Sequence, residues 1–204
     1  VTEKTPLKEV ESPYGRTKSI AEQIIKDVYN VLDGKSILLR YFNPAGAHET
    51  AKIGESPINP PQNLVPVITE TAIGRREKLV VFGDDYNTRD GSCLRDFIHV
   101  MDLANAHTKA IQYLINNTDA PKIDVFNLGI GEGVTVLEAI HSFEKINNIK
   151  LNYEIGPRRE GDVIAIYADK SKSENILKWK PSRNIDEIML TSWQWEVKRS
   201  QQNN

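Results

Sequence analysis

Apolar residues recur at helical spacing early in the chain, at Ala21, Ile24, Ile25, Val28 and Leu32. Ser12 stands where an N-cap is needed, Pro13 fits the first helical position, and Gly34 offers a stop. The spacing therefore predicts a helix from Ser12 to about Gly34, preceded by a charged and polar loop over residues 1–11. Its stripe runs back through Lys18 to Tyr14, which predicts that both side chains extend the inward-facing side of the helix. Ser36-Ile37-Leu38-Leu39-Arg40-Tyr41-Phe42 is a nearly continuous apolar run, the pattern of a buried parallel strand, cut off by Asn43-Pro44.

The same reading carries through the chain. Four Pro or Gly residues, Gly54, Pro57, Pro60 and Pro61, make 49–62 a loop. A helix capped by Asn63 ends near Gly74, and Leu79–Phe82 is a short strand running into a turn-rich loop, Gly83 to Asn87. Arg95 to Val100 alternates as one strand, and Asp102 is the expected cap of a helix bearing Leu103, Ala106, Ala110, Ile111 and Leu114. Asp124–Gly129 reads as a second buried strand and Leu151–Ile155 as a further one. Thr135 with Glu138, Ser171 with Glu174 and Asn184 with Glu187 have the spacing of capping boxes. The last two head two small helical segments, the final one fraying into a polar tail from Lys198 to Asn204, and Trp179, Trp193 and Trp195 are expected to close a small core there. Helix, turn and buried parallel strand in this order predict an α/β architecture.

Composition narrows the function without choosing it. The 204 residues are 39% hydrophobic and 26% charged with a formal net charge of −2, ordinary for a globular protein and without the basic excess of a nucleic-acid binder. No apolar run reaches the roughly 20 residues that span a bilayer, so no membrane partner is expected. Cys93 is the single cysteine, which rules out an internal disulfide and suits a reducing, cytoplasmic setting. The four histidines have no metal-ligand spacing, so no metal is expected. The chain starts at Val1 and is read as an excerpt of a longer protein.

Two stretches carry candidate chemistry. Tyr14 and Lys18 lie four residues apart at a helix start, where an ammonium favours the phenolate of a nearby tyrosine and can hold ribose hydroxyls. The alternative is two amphipathic side chains reaching to water. Asn43, at the carboxyl end of a parallel strand, is placed either to line a ligand crevice or simply to turn the chain before Pro44. Gly129-Ile130-Gly131-Glu132-Gly133 imitates a dinucleotide loop, but Val134 replaces the third glycine and the next helix has its own cap, so it reads as a glycine-rich turn.

Taken together, Tyr14 to Lys18, Arg40 to His48, Gly74-Arg75-Arg76-Glu77 through Phe82-Gly83-Asp84-Asp85-Tyr86, Arg95 to Val100 and Arg158-Arg159-Glu160-Gly161-Asp162 resemble the UDP-glucose 4-epimerase family of extended short-chain dehydrogenases/reductases. The resemblance implies the C-terminal portion of a Rossmann-type parallel sheet with a smaller α/β substrate-binding domain. Residues 1–48 and 97–130 would be the remnant of the NAD-binding part, and 49–96 and 131–204 the UDP-sugar part. It implies NAD as cofactor, UDP-glucose and UDP-galactose as substrates in galactose metabolism, and a homodimer in the full-length form. Tyr14 would be the base, with Lys18 tuning it and holding the nicotinamide ribose, and Tyr41 and Phe42 would lie near the nicotinamide. Arg95 and Arg159 would bind the diphosphate, Asn43, Asn63 and Leu64 would contact substrate, Val80 and Phe82 would receive uracil, and Asp162 would take the ribose hydroxyls. On the residues alone, Arg95 and Arg159 could instead be ion pairs with Asp96 and Asp162, and Phe82 plain core. Phe97 stands where the family often has tyrosine. Ile166 stands at a sugar-side position held by tyrosine or a small residue in relatives, which leaves acceptance of N-acetylated sugars open. The first half of the Rossmann sheet, its glycine loop and the partner serine are not in these 204 residues. The fragment alone is therefore expected to bind no NAD and to be inactive. A catalytically dead UDP-binding fragment, or a sugar-nucleotide dehydratase or decarboxylase, are the alternatives.

Overall fold

The computed structural model describes residues 1–6 and 12–202, so most of the expected loop before the first helix lies outside the described residues. Helix α1 (Pro13–Val31) begins at Ser12, whose hydroxyl accepts the Gly15 N–H, with Pro at the start of the helix. Strands β1 (Ser36–Tyr41) and β2 (Asn43–Ala45) follow. After a long loop come α2 (Leu64–Ala72), β3 (Leu79–Phe82), β4 (Leu94–Arg95), β5 (Phe97–His99) and α3 (Val100–Asn116). The remainder comprises β6 (Ile123–Leu128), β7 (Val134–Thr135), α4 (Val136–Asn147), β8 (Tyr153–Gly156), β9 (Ala165–Ile166), α5 (Ser171–Ile176) and α6 (Ile185–Gln202).

Parallel pairing organises the chain. β1 runs parallel to β6 from Ser36 opposite Ile123 to Tyr41 opposite Leu128. β2 pairs with β5 and β3 with β8, also parallel, while β4 lies between β7 (antiparallel) and β9 (parallel). Two apolar clusters hold these layers. One gathers Val65 and Ile68 of α2, Leu79 and Val81 of β3, Ile140 and Phe143 of α4, and Ile188 and Met189 of α6. The other packs Phe126 and Leu128 of β6 with Ala106 and Ala110 of α3, Ile98, Leu177 and Trp179. Each large side chain so buried stabilises by about 1.5–3 kcal/mol, before the entropy of ordering it is set against the gain.

Several expectations need correction. The Arg95–Val100 strand is broken at Asp96, because its neighbours serve different partners: Arg95 faces Ile166 and Phe97 faces Asn43. Asp96 itself is fully buried and accepts the N–H groups of Ile130 (2.8 Å), Gly131 (3.1 Å) and Ala168 (3.0 Å) on its carboxylate. Helix α3 is capped by the His99 ring, which accepts the Met101 N–H; Asp102 lies inside the first turn and binds Ser182 and Arg183. The capping boxes at Thr135/Glu138 and Asn184/Glu187 form. The Ser171/Glu174 box does not, since α5 is capped at Lys170 and the Ser171 N–H goes to the Asp169 carboxylate. The last helix is not small and does not fray at Lys198, being continuous from Ile185 to Gln202. The three tryptophans go to different places: Trp179 into the α3–β6 cluster, Trp193 edge-on to Phe143, and Trp195 to the Glu55 carbonyl. Finally, none of the α1 residues is buried, so the stripe containing Ile24 and Val28 is not covered by the described residues.

Candidate active site

The strand ends converge on one cleft of about 880 Å3, ample for a nucleotide-sized ligand. Tyr14 reaches it from the first turn of α1, where Ser12 and Pro13 fix the helix start. Tyr41, Phe42 and Asn43 enter where β1 gives way to β2. Asn43 does not turn the chain: it opens β2, and its N–H donates to the Asp96 carbonyl at 3.0 Å. Asn63 and Leu64 line the cleft from the start of α2, with Asn63 as cap residue by conformation although its side chain makes no cap bond. Val80 and Phe82 line it from β3, and Phe82 is 41% exposed, so it is not plain core.

The far side is charged. Arg95 and Arg159 both turn to Asp162. Arg159 makes a two-pronged contact with the Asp162 carboxylate, 3.2 Å from Nε and 2.7 Å from Nη2, and its guanidinium lies 5.2 Å from the Phe82 ring centroid. Arg95 Nη2 is 3.6 Å from the same carboxylate, and Arg95 also donates to the carbonyls of Leu94 and Val163. The hydrogen bond to Asp162 raises the Arg159 pKa above its ordinary value. Asp96, the alternative partner considered for Arg95, is committed to backbone N–H groups instead.

Two expected residues stand apart from the lining. Lys18 sits behind Tyr14, its ammonium 5.2 Å from the ring centroid, and Ile166 pairs with Arg95 in the β4–β9 ladder. The face of α1 that Tyr14 and Lys18 share is open: Tyr14 is 71% exposed, against the expectation of an inward-facing side. Arg76, Lys78, Gln62 and Cys93 also line the cleft and were not expected there from sequence. The basic pair could have been suspected from its place just before the β3 strand. Behind the cleft, Arg158 lies over Tyr86 (4.4 Å to the centroid) and holds Asp85 at 2.7 Å. Burial pushes the Tyr86 phenol up, and the Arg158 hydrogen bond draws the Asp85 carboxyl down.

The loop Gly129–Gly133 belongs to the scaffold. A Cβ on Gly129 would come within 2.3 Å of Asp96 Oδ2, so the glycine is required by the close approach of that carboxylate. Among the described residues no group of three His, Cys, Asp or Glu side chains could hold a metal ion, and no helix is long and apolar enough to cross a membrane.

Parallel strands that open on a wide cleft with a phenol on one flank and two arginines on another define an α/β protein with its ligand crevice at the strand ends. The chain belongs to the family described as GDP-mannose 4,6 dehydratase, whose model matches residues 1–191. Within that family it is similar to UDP-glucose 4-epimerases. It is 46% identical over 200 residues to the UDP-glucose 4-epimerase of Erwinia amylovora, covering 98% of this chain and 58% of that protein. The crystal structure of the Stenotrophomonas maltophila UDP-glucose 4-epimerase with bound NAD and formylated UDP-arabinopyranose superposes with a TM-score of 0.94 at 40% identity, over 99% of this chain and 59% of that one. The Bifidobacterium longum UDP-glucose 4-epimerase in complex with NAD+ and UDP gives 0.90 at 43% identity, over 98% and 59%. The chain thus spans a little under three-fifths of the length of these relatives.

Proposed function

We propose that this chain supplies the substrate grip and the proton-transferring tyrosine of an enzyme that interconverts UDP-glucose and UDP-galactose through a 4-keto sugar. The observation that carries this reading is that one cleft joins the Tyr14 phenol to the Arg95–Arg159–Asp162 group. Residues 1–48 and 97–130 belong in this reading to the C-terminal portion of a Rossmann-type sheet, and 49–96 and 131–204 to the substrate part. The full protein is proposed as a homodimer.

The chemistry divides among the residues as follows. The Arg95 and Arg159 guanidinium groups face two anionic oxygens of a diphosphate, for which their planar forks are suited. Phe82 and the Val80 segment receive the uracil, and Asp162 accepts ribose hydroxyls. Asn43, Asn63 and Leu64 contact the substrate, and Ile166 acts only from behind the lining, through its ladder partner Arg95. Tyr14 as phenolate takes the proton of the sugar O4 hydroxyl while C4 gives up its hydride, and returns a proton to O4 once hydride comes back to the other face. Lys18, one helical turn from Tyr14 with its ammonium 5.2 Å from the ring centroid, holds the ribose next to the nicotinamide. The residues fit the nicotinamide end of NAD: the Tyr14 phenol lines the cleft together with Tyr41 and Phe42, and the Lys18 ammonium stands behind it, 5.2 Å from the ring centroid. NAD, when bound, takes up and returns the C4 hydride. A second reading, UDP binding without turnover, is favoured by the exposure of Tyr14 and of the α1 stripe, which leaves the phenol without packing to orient it.

The test is to incubate the longest gene product containing this chain with UDP-galactose and NAD and to follow UDP-glucose. Steady formation of UDP-glucose supports the epimerase reading. UDP binding with no turnover favours the second, and absence of both overturns the two together.

A further inference from the structure

Asp162 is the one acidic side chain among the described residues that line the cleft, against four basic ones: Arg76, Lys78, Arg95 and Arg159. It sits where an anion would be expected. Its carboxylate is only 12% exposed, takes both prongs of Arg159, and lies 3.6 Å from Arg95. A carboxylate between two guanidinium groups offers them the same planar pair of anionic oxygens that a phosphate group offers. The site is thus filled by an internal anion, whose oxygens meet Arg159 Nε at 3.2 Å and Nη2 at 2.7 Å.

Resting on the UDP-sugar reading above, we propose that Asp162 makes the cleft selective for nucleoside diphosphates over free phosphate anions. An incoming diphosphate must displace the Asp162 carboxylate from the two arginines. Stripping a charged partner from a part-buried carboxylate is costly unless new hydrogen bonds replace it. A nucleoside diphosphate brings that replacement in the two hydroxyls of its ribose. Pyrophosphate brings none, so it faces the displacement cost uncompensated. Specificity here comes from a contact that penalises the wrong ligand as well as one that rewards the right one.

Arg158, next in sequence to Arg159, has its own carboxylate in Asp85 outside the cleft lining. Asp85 therefore provides a matched control: removing its charge changes the net charge equally and leaves the Asp162 pair alone.

Calorimetric titration with UDP and with sodium pyrophosphate, on the parent protein, Asp162→Asn, Asp162→Ala and Asp85→Asn, tests this. The Asp162 variants are expected to bind pyrophosphate about tenfold tighter or more, the equivalent of one charge-assisted contact no longer in competition. UDP should gain less or lose, because its ribose loses an acceptor, so the preference for UDP over pyrophosphate falls. Asp85→Asn should leave pyrophosphate binding within about twofold of the parent. Two Asp162 variants guard against one failing to fold, which circular dichroism would reveal. Pyrophosphate affinity unchanged or weaker in the folded Asp162 variant, or an equal gain in Asp85→Asn, overturns the proposal. UDP failing to bind the parent would overturn the UDP-sugar reading and the selectivity with it, whereas UDP binding the parent with pyrophosphate affinity unchanged in the Asp162 variants would overturn the role of Asp162 alone.

Discussion

Replacing Asp96 tests how the arginine-lined side of the cleft is built. The residue immediately follows Arg95, its carbonyl accepts the Asn43 N–H, and its fully buried carboxylate gathers Ile130, Gly131 and Ala168. Asp96→Ala would strip the acceptor from three N–H groups whose partners lie far along the chain. A buried donor left without a partner costs about 1–3 kcal/mol, and hydrogen bonds to a charged group are worth about 1.5–3 kcal/mol. Partial relaxation and water entry reduce the sum, so about 4 kcal/mol of lost stability is expected, a large share of the roughly 5–15 kcal/mol typical of a domain. Asp96→Asn can keep its oxygen toward Gly131 and Ala168 and turn its amide toward the Ile130 N–H, one donor against another. Its expected cost is about 2 kcal/mol. Urea unfolding would measure both through the midpoint at constant slope. A loss under about 0.5 kcal/mol for Asp96→Ala, within the range of an ordinary surface change, would refute the reasoning.

Other predictions follow from the same contacts. Arg159→Ala should weaken UDP binding by about 1.5 kcal/mol, roughly tenfold, the low end for a charged hydrogen bond because Arg159 is half exposed and already engages Asp162; calorimetry showing unchanged affinity would remove it from the site. His99 is fully buried, accepts the Met101 N–H on Nδ1 and therefore presents Nε2–H to Thr191 Oγ1 at 3.0 Å. Burial, with a smaller contribution from Arg183, holds its pKa below the ordinary histidine value. The unfolded chain therefore takes up this proton first as pH falls. The stability from neutral His99 is fully present above about pH 6.5 and is lost as pH falls through its lowered folded value. Urea midpoints measured from pH 7.5 to 5 should fall more steeply for the parent than for His99→Gln, and parallel curves would reject the assignment.

What could be read in the sequence was local. The Ser12, Thr135 and Asn184 caps close over three residues, so their side chains find the same partners in any fold that keeps the helix. β1 and β6 were legible because each carries four apolar residues in six, although β1 is not the buried strand expected: only Leu38 in it is fully buried and Tyr41 is exposed, while β6 buries Phe126, Asn127 and Leu128. Asp96 was not legible: its partners lie 34, 35 and 72 residues away, and an aspartate beside an arginine suggests an ion pair. Ser171 misled because Asp169, two residues earlier, competes for its N–H. The tryptophans share a stretch of sequence but divide among different neighbours, which spacing cannot reveal. Most expected cleft residues were carried by family resemblance rather than pattern. The Arg159–Asp162 pair is local and was legible, but Phe82 and Arg95 reach it only through strand pairings that their sequence neighbourhoods do not encode.

The central claim is that Tyr14 moves the proton in a cleft whose grip on UDP is independent of it. Its most direct test is Tyr14→Phe in the longest gene product containing this chain, with UDP affinity and UDP-galactose turnover measured on the same preparation. The account predicts UDP affinity within about twofold of the parent, and turnover lowered by about 10²-fold or more, the scale of losing a general base. Turnover at the parental rate with the phenol removed would contradict it.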